Sequence, residues 1–277
     1  MGKPWSEVLL FPQSPGFLWS NSSPTLRILK PHSLPIAARF EHGLSLTYAL
    51  PAELLSSLLS PGLELETQGN YAFLSIVSVH TTDLRPAFLP KAFGHDFCLT
   101  SYRLFTRFTT KIGETLRGLQ TLRNDTDLAW MVAWGNRMTR YRYRKADIEF
   151  QQQNGILHLD VRTPGGDADL KVRADTSGLP ASPPYGSPFP DLYTARRFAG
   201  PLRLTFDYDP DSHSMIIVEG RRTNWQPRPV PVEIERNTFL ESESFRGFKP
   251  ILASAFYLRD VPYRWEPGRW EPLPQGH

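Results

Sequence analysis

The sequence predicts a mainly β fold of the α+β class. Glycine and proline, 19 and 26 of the 277 residues, interrupt the chain often, so ordered segments stay short. Between these breaks lie apolar runs rich in β-branched residues, which are typical of strands. Asn154-Gly155 marks a tight two-residue hairpin turn. These three observations together favour many short strands and few helices.

The first predicted elements follow a proline-rich start. Residues 1–36 are expected to form an extended N-terminal arm, because proline breaks both helices and central strands. The alternation of apolar residues at 43–50 predicts a strand. Pro51 and the leucines of 54–59 predict a short helix, and the β-branched run at 71–84 predicts a long strand.

The middle of the chain is predicted to be strands around one short helix. Residues 97–111 and 114–124 are expected to be strands. A helix is expected at 125–135, between a capping aspartate and a terminating glycine. Residues 140–163 predict a hairpin around the Asn154-Gly155 turn, and a further strand is expected at 169–175.

The last third of the chain begins with a proline-rich loop at 176–190. A short helix or turn is expected at 189–200, and a second hairpin is expected around 209–211. A closing strand then ends the core. We therefore expect a single domain over residues 37–266, followed by a C-terminal tail at 267–277.

Composition and charge narrow the class of partner. The 31 basic and 28 acidic residues give a net charge of +3, without the long basic runs of a general nucleic-acid binder. Cys98 is the only cysteine, which fits a reducing cytoplasm. No segment approaches the roughly 20 apolar residues that span a bilayer. We expect a cytoplasmic protein without a nucleic-acid or membrane partner; a homo-oligomer stays open.

The segment RMTRYRYRKADIEF, residues 137–150, alternates basic residues with tyrosines. Read as one strand, it has two different faces. One face carries Tyr141, Tyr143 and Lys145, and the other carries Arg140, Arg142 and Arg144. The segment is either a wall of a half-polar cavity or a nucleic-acid-binding strand. The nearly balanced charge of the whole chain favours the cavity wall.

Several motifs occur in a fixed order along the chain. They are YALPAELLSSLLSPGLELE, AFLSIVSVHTTDLRP, LTSYRLFTRF, GNRMTRYRYRK, DLYTARRF and PILASAFYLRDVPYRW. Together, over about residues 37 to 266, they resemble the domain-of-unknown-function family 2071 of the acetoacetate decarboxylase-like superfamily. The resemblance implies a closed or nearly closed antiparallel β-barrel with a few flanking helices and an interior cavity.

The resemblance does not carry over the decarboxylase chemistry. In the decarboxylase a lysine forms a Schiff base with the substrate ketone, and an adjacent lysine lowers its pKa. The matching positions here are Thr139, Arg140 and Tyr141, and the chain has no Lys-Lys pair. A guanidinium stays protonated and cannot be the amine nucleophile. Lys145, on the predicted Tyr141 face, is the candidate amine that remains.

Two further site candidates lie near the end of the long strand predicted at 71–84. The resemblance makes Asp83 a cavity candidate, with a strand-end cap as the alternative. His80 on the same strand is added as a ligand-binding candidate. No regular spacing of metal-ligating residues occurs, so neither a metal nor a cofactor is predicted.

Two functions follow from these candidates. The first is a small-molecule-binding barrel whose cavity is reached by Tyr141, Tyr143, Lys145, Asp83 and His80. The second is a lyase or hydrolase acting on a small oxo acid or ketone, with Lys145 as nucleophile or Tyr141 and Asp83 as acid–base groups. Borohydride trapping with candidate oxo acids distinguishes the two.

Overall fold

The structure, a computed structural model, describes residues 31–198 and 202–273. A twelve-stranded sheet and a four-stranded sheet make up most of it. The mainly β fold with few helices predicted from the sequence is confirmed. None of the helices in these two ranges is long and apolar enough to cross a membrane.

The described residues form sixteen strands and a few short helical segments. The strands are β1 (Ile36–Pro51), β2 (Leu63–Leu65), β3 (Thr67–Gln68), β4 (Tyr71–Pro86), β5 (His95–Thr109), β6 (Thr115–Thr126), β7 (Tyr143–Lys145), β8 (Asp147–Gln153), β9 (Ile156–Arg162), β10 (Leu170–Asp175), β11 (Leu204–Asp209), β12 (Ser214–Arg222), β13 (Arg228–Pro229), β14 (Val232–Asn237), β15 (Ile251–Trp265) and β16 (Arg269–Pro272). The α-helices are α1 (Ala52–Ser56), α2 (Asn136–Met138) and α3 (Leu192–Phe198). A π-helical segment (Met131–Gly135) precedes α2, and 3-10 turns lie at Lys91–Phe93, Thr238–Glu241 and Glu243–Phe245.

The large sheet follows the order β13-β15-β1-β4-β5-β6-β11-β12-β16, and β12 also pairs with β15. The strands β15, β1, β4, β5, β6, β11 and β12 are therefore joined in a ring, which we call the strand ring. The expectation of antiparallel pairing throughout is wrong at β6, which pairs in parallel with both β7 and β11. Helical segments precede β7 and β11, and such connections allow parallel pairing.

Strand β5 has two buried faces. Its even-numbered residues Cys98, Tyr102 and Leu104 belong to the core that includes the four-stranded sheet β14-β10-β9-β8, and the hydroxyl of Tyr102 donates to the carbonyl of Ala168 at 3.0 Å. Its odd-numbered residues, such as Leu99 and Arg103, face the opposite side of the sheet. A strand buried on both faces is typical of a sheet at the centre of a domain.

The predicted Asn154-Gly155 hairpin is confirmed. Strands β8 and β9 pair up to Gln153 and Ile156, and the two turn residues have positive φ values of 51° and 78°. The single strand predicted from Arg140 to Phe150 is wrong. Arg142 has a φ of 54°, a left-handed conformation that breaks the strand. Tyr143 begins β7 in the large sheet, whereas β8 belongs to the smaller sheet.

Two predicted helices differ in extent from the structure. α1 covers only part of the predicted leucine-rich helix. The predicted stop at Gly135 is wrong, because the helical backbone continues through α2 to Met138. A side chain at Gly135 would lie 2.7 Å from the ring of Tyr143, so glycine here permits close packing of the helical segment on β7.

The predicted second hairpin is confirmed by β11 and β12, and the predicted helix or turn at 189–200 contains α3. Most of the expected N-terminal arm, residues 1–30, lies outside the described residues. In the expected tail, β16 pairs with β12 and Leu273 is buried.

Candidate functional site

A cavity of about 520 Å³ lies on the side of the sheet that the odd-numbered residues of β5 face. Every strand of the strand ring contributes to its lining. One residue from each, in ring order from β1, is Phe40, Val77, Arg103, Thr121, Thr205, Val218 and Tyr263. The walls are mostly apolar, so the few polar groups among them determine which ligands bind.

Exposed aromatic residues lie at one part of the cavity wall. Near the π-helical segment, Phe93 and Trp134 line the cavity yet are 61% and 59% exposed, so the cavity wall reaches solvent here. A separate aromatic cluster lies near α3, where the ring of Phe73 packs on Phe198 and on Phe189, with centroids 4.6 and 5.2 Å apart. Phe105 packs on Phe73 and lines the cavity, so it joins this cluster to the cavity wall.

Arg103 places a positive charge inside the cavity. Its Nε donates to the hydroxyl of Ser101 at 2.7 Å, and its remaining accessible surface faces the cavity. Within residues 31–198 and 202–273, no carboxylate forms an ion pair with it. Burial lowers the pKa of Arg103, and a guanidinium nevertheless stays protonated in a protein at neutral pH.

Three phenols share the cavity lining with Arg103. They belong to Tyr141, Tyr143 and Tyr263, and all three interact electrostatically with the guanidinium. Burial raises the pKa of each phenol above its ordinary value of 10.0. The phenols are therefore neutral at physiological pH and act as hydrogen-bond donors. The hydroxyl of Tyr141 is buried and has no hydrogen-bond partner among the described residues.

Two asparagines fix the backbone that carries Tyr141 and Tyr143. The side chain of Asn136 accepts from the amide of Tyr143 at 2.6 Å and donates to its carbonyl at 2.8 Å. Asn124 on β6 donates to the carbonyl of Tyr141 at 2.6 Å. These bonds replace the regular strand pairing that is lost at Arg142, and they hold both phenols at the cavity.

Arg222 is a second guanidinium in the cavity lining. It stacks on the ring of Trp225, with its Cζ 3.9 Å from the ring centroid. Burial lowers the pKa of Arg222, and the charge of Arg103 lowers it further, which indicates that the two cations are near each other. Its Nη2 is buried and has no hydrogen-bond partner among the described residues.

Of the five residues predicted from the sequence, the structure brings Tyr141 and Tyr143 to the cavity. Lys145 does not line it. Its Nζ donates to the carbonyls of Asp127 at 2.9 Å and Ala146 at 3.1 Å, and about half of its side chain is exposed. Strand β7 ends at Lys145, where the chain crosses to the smaller sheet, and the amine is held by these two carbonyls outside the cavity lining.

His80 and Asp83 also lie outside the cavity lining. The Nδ1 of His80 is 3.1 Å from a carboxylate oxygen of Glu41, and its imidazole ring stacks near Phe150 of the smaller sheet. Asp83 has a positive φ of 59°, and its amide donates to Asp96 at 3.0 Å. Both side chains therefore have contacts outside the cavity lining.

Two of the three arginines on the other predicted face of this segment form ion pairs with carboxylates. Arg140 forms ion pairs with Asp209 and Asp211, and Arg144 lies 3.5 Å from Asp167. Among the residues that the structure describes, no group of three or more histidine, cysteine, aspartate or glutamate side chains is arranged to hold a metal ion.

Sequence reasoning missed Arg103, Arg222 and Tyr263. The signal for Arg103 lies in LTSYRLFTRF, where an arginine occurs at the centre of a long apolar strand. A charge at such a position faces either solvent or an internal cavity, and the sequence contains no feature that distinguishes the two. Arg222 and Tyr263 are brought together by the pairing of β12 with β15. The two residues are far apart in the sequence, so no local pattern predicts that they meet.

This fold and its cavity define the class of protein. The structure is similar to the crystal structure of acetoacetate decarboxylase from Legionella pneumophila subsp. pneumophila str. Philadelphia 1, with a TM-score of 0.59 and 14% identity over 90% of this chain and 92% of that chain. The structure is also similar to that of an acetoacetate decarboxylase-like enzyme from Sphingomonas wittichii RW1, with a TM-score of 0.53 and 13% identity over 87% of this chain and 94% of that chain. The enduracididine biosynthesis enzyme MppR complexed with pyruvate has a TM-score of 0.53 and 11% identity over 88% and 91%. The fold is therefore that of the acetoacetate decarboxylase-like proteins.

The sequence assigns the chain more narrowly within this class. Residues 37–262 match the domain-of-unknown-function family 2071 (DUF2071), described as an uncharacterized conserved protein, and the chain belongs to this family. The resemblance inferred from the sequence motifs is thereby confirmed. No curated protein sequence matches the chain significantly.

Proposed function

We propose that the strand ring is a β-barrel and that its cavity binds a small organic acid, whose carboxylate pairs with Arg103. One observation carries this proposal: a guanidinium lies inside an apolar cavity without an ion-pair partner among the described residues. An unpaired buried charge costs several kcal/mol, and proteins retain such charges where a ligand pairs with them.

The hydrogen bonds of Arg103 leave room for a carboxylate. The hydroxyl of Ser101 accepts a hydrogen bond from Nε only, so the terminal nitrogens of the guanidinium remain as donors. A carboxylate bound to these nitrogens forms short, charge-assisted bonds that are about twice as strong as neutral ones. The hydroxyl of Tyr141 supplies a further neutral donor nearby.

The ligand is proposed to be small and partly apolar. Walls formed by residues such as Val77, Leu99 and Phe256 suit an aliphatic or aromatic body. The similar structure of MppR holds pyruvate, a small oxo acid. Pyruvate and its longer homologues are therefore suitable first probes.

The alternative function is a lyase or hydrolase that acts on an oxo acid or ketone through Lys145, or through Tyr141 with Asp83. The Schiff-base version requires an amine at the substrate, and no lysine lines the cavity among the described residues. The acid–base version requires both Tyr141 and Asp83 at the cavity. Tyr141 lines the cavity and Asp83 does not. Binding is therefore the function that the geometry supports better.

Isothermal titration with 2-oxo acids and their methyl esters tests the proposal. The acids are expected to bind and the esters are not. Arg103→Gln should weaken binding about 10- to 150-fold, because a hydrogen bond to a charged group contributes about 1.5–3 kcal/mol. Arg107→Gln is the matched control on the same strand, since Arg107 pairs with Glu64 and Glu66 away from the cavity, and it should bind like the unmodified protein.

Two results would overturn the proposal. Equal affinity for acid and ester, or unchanged affinity in Arg103→Gln, would show that the guanidinium does not bind the carboxylate. Borohydride reduction in the presence of pyruvate is expected to give no adduct. A covalent adduct on Lys145 would instead establish the enzymatic alternative.

A further inference from the structure

We propose that Arg222 and Trp225 form a second anion-binding subsite in the same cavity, so that the ligand is a dicarboxylate rather than a monocarboxylate. This inference rests on the proposed function, in which Arg103 binds the first carboxylate. It specifies the class of ligand by the number and the position of its negative charges.

The contact between Arg222 and Trp225 leaves hydrogen-bond donors free. The guanidinium lies over the indole ring, 3.9 Å from its centroid, and this cation–π contact uses only the face of the guanidinium. The N–H groups at the edge of the guanidinium remain available. Within the described part of the chain, neither Nη2 of Arg222 nor Nε1 of Trp225 has a hydrogen-bond partner, although both atoms are buried.

Buried donors without partners are rare in folded proteins. Each costs about 1–3 kcal/mol, because the donor has lost its hydrogen bonds to water. Two such donors on neighbouring side chains, one of them charged, fit an acceptor that carries negative charge. A carboxylate with two oxygens can accept from both.

Tyr263 connects the two cationic positions. The Cζ of Arg222 is 6.0 Å from the ring centroid of Tyr263, and the phenol of the same residue interacts with Arg103. All three residues line the cavity. Both guanidinium groups therefore interact with one aromatic side chain, which fits a short ligand with one carboxylate at each guanidinium.

The lining of the cavity does not neutralise these charges. Glu266 is the acidic residue in the described lining, and it is engaged by Arg221 at 3.4 Å and Arg264 at 3.1 Å. A monocarboxylate would neutralise one guanidinium and leave the other unpaired. A dicarboxylate neutralises both, which removes the cost of the second unpaired charge as well.

The test compares acids of equal chain length by isothermal titration. Glutarate is compared with pentanoate, and adipate with hexanoate. In the unmodified protein, at least one dicarboxylate should bind ten or more times as tightly as its matched monocarboxylate. Arg222→Gln should abolish this preference and leave the affinity for the monocarboxylate within about threefold.

Two further variants make the test specific. Arg162→Gln removes the same charge from an exposed position on β9 of the smaller sheet, where Arg162 pairs with Glu149 and does not line the cavity, and it should keep the preference for the dicarboxylate. Trp225→Phe keeps an aromatic ring under Arg222 but removes the N–H donor. It should reduce dicarboxylate binding about 3- to 10-fold, and it provides the test if Arg222→Gln fails to fold.

The outcomes separate this inference from the proposed function. Monocarboxylate binding that requires Arg103, without any preference for dicarboxylates, would overturn the second subsite and leave the proposed function intact. A dicarboxylate preference that persists in Arg222→Gln would also overturn the subsite. If neither kind of acid binds the unmodified protein, the proposed function and this inference both fail.

Discussion

Replacing Arg103 with methionine should stabilise the unliganded protein while it abolishes binding of organic acids. The guanidinium lies inside the protein without a carboxylate partner among the described residues, so in the absence of ligand its charge opposes folding. Methionine has a similar length and fills an apolar site without strain. A binding residue that lowers stability is the expected trade-off at a functional site.

The expected size follows from two opposing terms. An unpaired buried ion costs several kcal/mol. Since the terminal nitrogens of Arg103 face an open cavity, we assign a smaller cost of about 2–3 kcal/mol to its unpaired charge. The hydrogen bond to Ser101 is lost in the variant, which costs about 1 kcal/mol. The free energy of unfolding should therefore rise by about 1–2 kcal/mol, which raises the Tm by about 2–8 °C.

Urea denaturation followed by tryptophan fluorescence measures this change, and the midpoints are compared at a constant m value. Arg107→Met is the matched control. Arg107 lies on the same strand and pairs with Glu64 at 3.3 Å and Glu66 at 3.6 Å, so its replacement should lower the free energy of unfolding by up to about 1 kcal/mol. If Arg103→Met instead destabilises the protein by more than about 1 kcal/mol, then Arg103 is a structural residue and the reasoning is refuted.

Four further predictions concern single residues. Burial raises the pKa of the Cys98 thiol to about 12, so the folded protein at pH 8 should react with a disulfide reagent at least about 100-fold more slowly than the protein in urea; equally rapid reaction would contradict its burial. Gly155→Ala should lower the free energy of unfolding by about 1 kcal/mol, because Gly155 has a φ of 78°, whereas Gly165→Ala, which needs no positive φ, should change it by less than about 0.5 kcal/mol in the same urea titration. Tyr141→Phe should raise the free energy of unfolding by about 1–3 kcal/mol, since its buried hydroxyl has no partner among the described residues, but should weaken 2-oxo acid binding about 5- to 10-fold by isothermal titration. Lys145→Ala should bind the same acids with unchanged affinity, because its amine lies outside the cavity; a large loss of affinity would show that Lys145 takes part in binding.

The strands were predictable from the sequence because their signals are local. The β-branched run of β4 and the Asn154-Gly155 turn depend on neighbouring residues alone. The closure of the ring was not predictable in this way. It depends on the pairing of Gly220–Arg222 with Tyr263–Trp265, and no local pattern specifies which distant strand a given strand meets.

The candidate site was predictable only in part. The alternation of residues 137–150 placed Tyr141 and Tyr143 together, and both line the cavity. The same alternation included Lys145, but it assumes one continuous strand, and the left-handed backbone at Arg142 and the end of β7 break that assumption. The cation that the cavity does contain, Arg103, comes from another strand.

Strand β5 has different neighbours on its two faces, and this difference implies an alternating pattern of mutational tolerance. At even positions such as Tyr102 and Leu104, substitutions should be accepted or rejected according to volume, since these side chains fit against the smaller sheet. At odd positions such as Ser101 and Arg103, polarity and charge should matter more than size. A saturation mutagenesis profile of this strand would therefore alternate, residue by residue, between selection for stability and selection for ligand binding.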